Sequence, residues 1–129
     1  RGRAAGGSDR LGNARDRAAA GVTALVWCPF PDRAAAERAA QTLLDERVVA
    51  CANLVEGVTA LFLWQGERGA GEECGALFKT DAARLDQAVE RIAQLHPYDT
   101  PAVLGWRCHA APAATRGWLA RETGVDPAQ

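Results

Sequence analysis

Three features of the chain predict an α+β fold built on an antiparallel sheet. Four apolar, β-rich runs recur along it, two stretches with helical apolar spacing lie between them, and glycine-rich chain joins the middle runs. Val22–Cys28 (VTALVWC) reads as a buried strand closed by Pro29, Phe30 and Pro31. Asp32 then offers an N-cap for a helix over Arg33–Arg47, with Ala36, Ala40, Leu43 and Leu44 on one face and Glu37, Arg38, Gln41 and Asp45 on the other. The alanines let this helix lie close to a sheet.

Val48–Glu67 holds two β-rich stretches, Val48–Val55 and Val58–Gln65, with Glu56-Gly57 between them. Gly57 is compatible with a hairpin turn or with a bend or bulge in one long strand. Gly66–Glu73 carries three glycines and no large apolar residue, and is expected to be a hairpin loop. Cys74–Thr80 is the returning strand. Asp81 caps a second helix over Ala82–His96, where Leu85, Ala88, Val89, Ile92 and Leu95 repeat at helical spacing and Pro97 ends the run. Ala102–Ala110 is the last strand, and Thr115–Gly124 a closing helix with Gly124 at its C-terminal cap. The order β-α-β-β-α-β is the ferredoxin-like plan, a four-stranded antiparallel sheet with two helices on one face. Both sheet faces are apolar, and Phe62, Leu63, Trp64, Trp106 and Trp118 exceed what one helix-covered core needs. A second copy of the chain is the simplest cover.

A length of 129 residues suits one domain, and 48 % apolar with 24 % charged residues suits a globular one. The organisation expected is an Arg/Ala/Gly-rich flexible tail over 1–21, a domain over 22–124 and a short tail over 125–129. The first segment carries a charge of +3 and the remainder −4, so the folded part lacks the basic face that nucleic-acid binding requires. No apolar run reaches the length of a membrane span. With no methionine, a processed or truncated form is expected. Its arginines suit an organelle-targeting remnant, but two Asp and a single Ser in the segment argue against that, and a cytoplasmic protein is expected. Cysteines 28, 51, 74 and 108 are widely spaced with no C-x-x-C pair, as befits reduced thiols in a reducing compartment.

Catalytic chemistry finds little footing. Ser8 is the only serine and lies in the tail, so the domain holds no serine triad, and an enzyme is not expected. A nucleophilic pair of Cys28 with His96 or His109 competes with Cys28 as plain core packing, which is the commoner fate of a free cysteine. The glycines of Gly66–Gly71 lack the Lys-Ser/Thr and the following helix of a phosphate loop. Metal donors are dispersed: Cys28, His96, His109, Asp99 and the other thiols. A thiolate with an imidazole suits copper or zinc. His96 equally suits a helix terminus and Tyr98 a docked ring, or both wall a pocket.

Val48–Glu67 (VVACANLVEGVTALFLWQGE) resembles the signature run of the CutA divalent-cation tolerance proteins. Trp27–Asp32 (WCPFPD), Leu77–Thr80 (LFKT), His96–Leu104 (HPYDTPAVL) and Trp118-Leu119 match in order, so the resemblance covers about residues 22–122. It implies a non-enzymatic ferredoxin-like subunit in a homotrimer similar to the PII signalling proteins, with long middle strands reaching across subunits and Trp64 at the border. It also implies a part in divalent-cation, notably copper, tolerance. Cys28 matches the family's proposed copper thiol. Leu95 and Ala102 stand where that site has a His and a Glu, Gln65 and Glu67 replace the usual Glu and Lys, and Glu56 replaces a Pro. The metal candidates are therefore Cys28 and, beside it, His96. The alternative function is a PII-like sensor of a small molecule or anion in clefts between subunits, lined by Trp64, Lys79, Tyr98 and Asp99.

Overall fold

The structure, a computed structural model, describes residues 22–126. The tail expected over 1–21 and residues 127–129 lie outside the described residues. In chain order the elements are β1 (Thr23–Phe30), α1 (Arg33–Asp45), β2 (Cys51–Trp64), β3 (Glu67–Asp81), a 3-10 turn (Ala82–Arg84), α2 (Leu85–Leu95), β4 (Leu104–Cys108) and α3 (Ala113–Glu122). One sheet contains all four strands in the order β2-β3-β1-β4, and every pairing is antiparallel.

Local chemistry sets the element ends. The Asp32 carboxylate accepts the Ala35 N–H at 2.8 Å and starts α1. The helix stops two residues sooner than its charge pattern suggests. Arg47 takes a left-handed φ of 58°, and the Arg47 and Val48 amides bond back to Leu44 and Leu43. The same double closure ends α3, with Gly124 in the left-handed position as expected. Asp81 accepts the Ala83 N–H and opens a 3-10 turn before α2, so the α-helix itself starts at Leu85.

Val48 and Val49 are buried but precede the second strand, which begins at Cys51. That strand is single. Between the pairs Val55–Gly75 and Val58–Glu73, the two residues Glu56 and Gly57 stand opposite one, Cys74. This is a β-bulge, and Gly57 at φ 78° supplies its left-handed backbone. The expected loop over Gly66–Glu73 is instead strand from Glu67 onward. The hairpin turns on two residues, Gln65 and Gly66, both at positive φ, as a tight twisted hairpin requires. Glycine content misled here because one of those glycines makes room for an aromatic neighbour. A Cβ on Gly69 would sit 2.4 Å from the ring of Phe62, its cross-strand partner.

The core lies between the sheet and α1 and α2. Val26, Cys28 and Phe30 of β1, Cys74, Ala76 and Phe78 of β3, Ala36, Ala39, Ala40 and Leu43 of α1, and Ala88 and Ile92 of α2 are buried together. Leu44 is not among them and stays exposed. Gly105 of β4 lies under Leu85 and Val89, close enough that a Cβ would reach within 2.8 Å of Leu85. α3 touches β3 and β1, and Arg84 binds the carbonyl of Thr123 at its end. Beyond the bulge, β2 and β3 run on as a two-stranded arm, Val58–Trp64 with Glu67–Glu73. No helix covers it, and Leu61 (80 % exposed) and Leu63 (73 %) face solvent.

Candidate functional site

Alternation assigns the faces. In β1, the residues between the buried Val26, Cys28 and Phe30 are Trp27 and Pro29, which turn away from the helices. In β3 the matching residues are Glu73, Gly75 and Leu77. The bulge shifts the alternation of β2 by one residue, so that Ala60, Phe62 and Trp64 share the face of Val55 rather than of Leu54. A cavity of about 570 Å³ opens on this side, where β1 ends and the arm begins, and the Tyr98–Ala102 segment after α2 walls it. Pro29, Phe62, Trp64, Glu73, Tyr98 and Asp99 are among its lining residues.

His96 anchors that segment. Its ring is buried and stacks on Phe30 at a centroid distance of 4.4 Å. The Tyr98 N–H lies 3.1 Å from Nδ1, so Nδ1 carries the lone pair and Nε2 the proton, which it donates to the Pro29 carbonyl at 2.7 Å. The neutral imidazole ties the end of α2 to the end of β1. Tyr98 is thereby placed with its ring 4.8 Å from that of His96 and its hydroxyl donating to Glu73 Oε2 at 3.2 Å. Burial, then the bond to Glu73 and its charge, raise the Tyr98 phenol above its ordinary value.

Cys28 points into the core with no exposed surface, and its thiol donates to the Pro29 carbonyl at 3.6 Å. Burial, and secondarily the charge of Glu73, push its pKa up to about 12, so the sulfur is a neutral thiol at neutral pH. Cys28 and His96 therefore meet at one carbonyl, that of Pro29. As arranged they offer a divalent ion no ready donors, since both imidazole nitrogens are engaged and the sulfur holds its proton. Among the described residues no group of three or more His, Cys, Asp or Glu side chains is placed to hold a metal ion. Leu95 packs on the core and Ala102 lines the cavity.

Of the four residues expected to line a cleft between subunits, Trp64, Tyr98 and Asp99 line this cavity within the single subunit. Lys79 sits elsewhere, paired with Leu25 and Cys51 in the middle of the sheet. Sequence reasoning missed Glu73 and Phe62 as cavity residues. The signal for Glu73 was hidden because its stretch reads as a loop, and the signal for Phe62 because the bulge resets its face. All four cysteines are free, and no helix among the described residues is long and apolar enough to cross a membrane.

The model of the CutA1 divalent ion tolerance protein family matches residues 24–122. The divalent-cation tolerance protein CutA of Pyrococcus horikoshii is 39 % identical over 99 residues, which span 77 % of this chain and 96 % of that protein. Its namesake in Thermus thermophilus is 33 % identical over 100 residues, 78 % and 97 % of the two chains. Among solved structures, CutA1 from Ehrlichia chaffeensis superposes with a TM-score of 0.74 at 29 % identity, covering 78 % of this chain and 94 % of that one. A protein from Archaeoglobus fulgidus described as a periplasmic divalent cation tolerance protein has a TM-score of 0.74 at 22 % identity, with 78 % and 98 % covered, and shares the fold. With the family model spanning nearly all the described residues and curated relatives at 33–39 % identity over more than three quarters of its length, the chain belongs to the CutA1 divalent ion tolerance family.

Proposed function

We propose that this protein is a non-enzymatic, ferredoxin-like subunit of a PII-like homotrimer that takes part in divalent-cation tolerance. The observation that carries the proposal is the bare arm. Leu61, Phe62, Leu63 and Trp64 are all at least half exposed on a strand pair that no helix covers, more contiguous apolar surface than a lone soluble domain retains. Symmetric contact with other copies covers such a surface without further partners. The tolerance role follows from the names of its relatives, and four free thiols favour a reducing, cytoplasmic setting. Light scattering should return three times the 13.7 kDa chain mass, and a monomer would remove the proposal's foundation.

Copper contact at Cys28 and His96 is the part of this proposal that the geometry supports least. Calorimetry with copper decides it: binding lost in Cys28→Ala keeps the assignment, and unchanged binding removes it. A second reading, a sensor of a small molecule at the subunit border, is favoured by the cavity beside the arm. Its volume falls in the range of small-molecule sites and its walls are largely apolar. A thermal-shift screen of small molecules against metals separates the two readings, because only a true ligand raises the melting temperature with dose.

A further inference from the structure

The cavity beside the arm has a definite chemical character. Phe62, Trp64 and Tyr98 give it three aromatic rings, and Glu73 and Asp99 give it two carboxylates. Among the described residues that line it, none is lysine or arginine. Glu73 uses one oxygen to hold the Tyr98 hydroxyl. Its other oxygen and both oxygens of Asp99 have no protein partner among the described residues. The field there is negative in effect as well as in inventory, since Glu73 and Asp32 both raise the Tyr98 phenol and Glu73 raises the Cys28 thiol.

Resting on the sensor reading above, we propose that this cavity binds an organic monocation: an ammonium group on a small apolar body. Each alternative class meets a specific obstacle. A carboxylate or phosphate ligand would face Glu73 and Asp99 with no cation to receive it. A calcium or magnesium ion takes roughly six or more oxygen donors and a zinc or copper ion favours imidazole or thiolate ligands, whereas the lining here offers two carboxylates among apolar walls, with no His or Cys among its described residues. A neutral ligand would leave both carboxylates without countercharge as it displaced their water. An ammonium ion satisfies them and at the same time uses the ring faces, whose negative quadrupoles attract a cation within about 6 Å. Tyr98 is held for this purpose from two sides, by Glu73 at its hydroxyl and by His96 at its amide. Phe62, Leu63 and Trp64 serve both the arm's contact surface and the cavity, so ligand and neighbouring subunit meet at the same side chains.

The test uses the full chain in its native assembly, with calorimetry and tryptophan fluorescence as readouts. The probes are benzyltrimethylammonium, choline, the uncharged tert-butyl analogue of choline, succinate and cupric ion alone. The ammonium probes should bind and choline should exceed its uncharged analogue by roughly ten-fold, the size of a desolvated cation–aromatic contact. Added salt should weaken them. Glu73→Gln, which keeps an oxygen for Tyr98, should weaken the ammonium probes by roughly ten-fold. Glu72→Gln, outside the cavity, should leave them unchanged. Equal binding of choline and its analogue, or no effect of Glu73→Gln, overturns the monocation assignment but leaves a small-molecule sensor standing. Binding of succinate in place of the ammonium probes does the same. Cupric binding that Glu73→Gln abolishes, without ammonium binding, returns the cavity to a metal role. No binding of any organic probe overturns both the assignment and the sensor reading.

Discussion

The helix-covered half of the sheet and the arm beyond the bulge are continuous strands with opposite economies of surface. In the covered half, Val26, Phe30, Phe78 and Ile92 are fully enclosed by the chain's own helices. In the arm, β2 carries Leu61 and Leu63 into solvent. Composition along β2 does not mark the boundary, because that strand stays apolar on both sides of the bulge. Cover separates the halves. One half folds to satisfy itself, and the other is ordered by its hairpin ladder alone until something packs on it.

That contrast can be broken by mutation. Phe78→Ala in the covered half should cost about 3–5 kcal/mol of folding stability in chemical denaturation, because the ring's contacts and burial are lost together and a cavity remains. Leu61→Asp with Leu63→Asp in the arm should leave the isolated subunit's secondary structure intact by circular dichroism. In light scattering it should shift the protein from the proposed trimer to monomer. If Leu61→Asp with Leu63→Asp unfolds the subunit as Phe78→Ala does, the two halves are not separable.

Paired glycines sharpen the comparison. A Cβ on Gly75 would fall 2.2 Å from the tip of the Trp27 ring, and one on Gly69 would fall 2.4 Å from Phe62. The clashes are alike on paper. Trp27 is partly buried between strands, whereas Phe62 is half exposed and free to swing aside. Gly75→Ala should therefore cost about 1–3 kcal/mol, and Gly69→Ala no more than about 0.5 kcal/mol, by thermal or urea melts. Equal costs would mean that the arm is packed as tightly as the core.

The last effect is confined to alkaline solution. The Cys28 thiol is raised from 9.0 to about 12, first by burial and then by Glu73. The folded state therefore keeps a proton that the unfolded chain releases, and stability falls as pH rises from 9.0 toward about 12. Below that window this group contributes its full share. Cys28→Ala should flatten the alkaline decline in urea midpoint, with the exposed arm contributing nothing to the difference. A decline as steep in Cys28→Ala as in the parent would place the alkaline sensitivity elsewhere.

What was legible in the sequence was what short-range chemistry writes. Asp32, Asp81 and Gly124 sit where their side chains or backbone freedom dictate, and helical spacing put Leu85, Val89 and Ile92 against the sheet. Element order and the α+β class follow from these. Arg47 shows the limit. It occupies a left-handed position that glycine would advertise, so the end of α1 was invisible. The Gly66–Glu73 stretch failed for the converse reason. Its glycines signalled a loop, but they serve a strand whose partner carries a large ring opposite Gly69. At the site, motif neighbours such as Tyr98 and Asp99 were identified from their position after a helix. Glu73 required knowing the register of two strands, which no local pattern encodes. Cys28 and His96, expected from the sequence as paired metal donors, each bond the Pro29 carbonyl. Their shared hydrogen-bond acceptor, the Pro29 carbonyl, could not be read from side-chain identities.

The bulge at Glu56-Gly57 has a mechanical consequence. Arg33, the first residue of α1, reaches across to Glu56 with an ion pair of 2.7 Å, so the point where the arm departs from the core is held by a helix end rather than by strand pairing alone. An exposed pair of this kind contributes little stability, so it biases the base of the arm from a place that touches neither the arm's tip nor the cavity. A change at that solvent-facing pair would act on the base of the arm while every residue of the arm beyond the bulge stays unchanged.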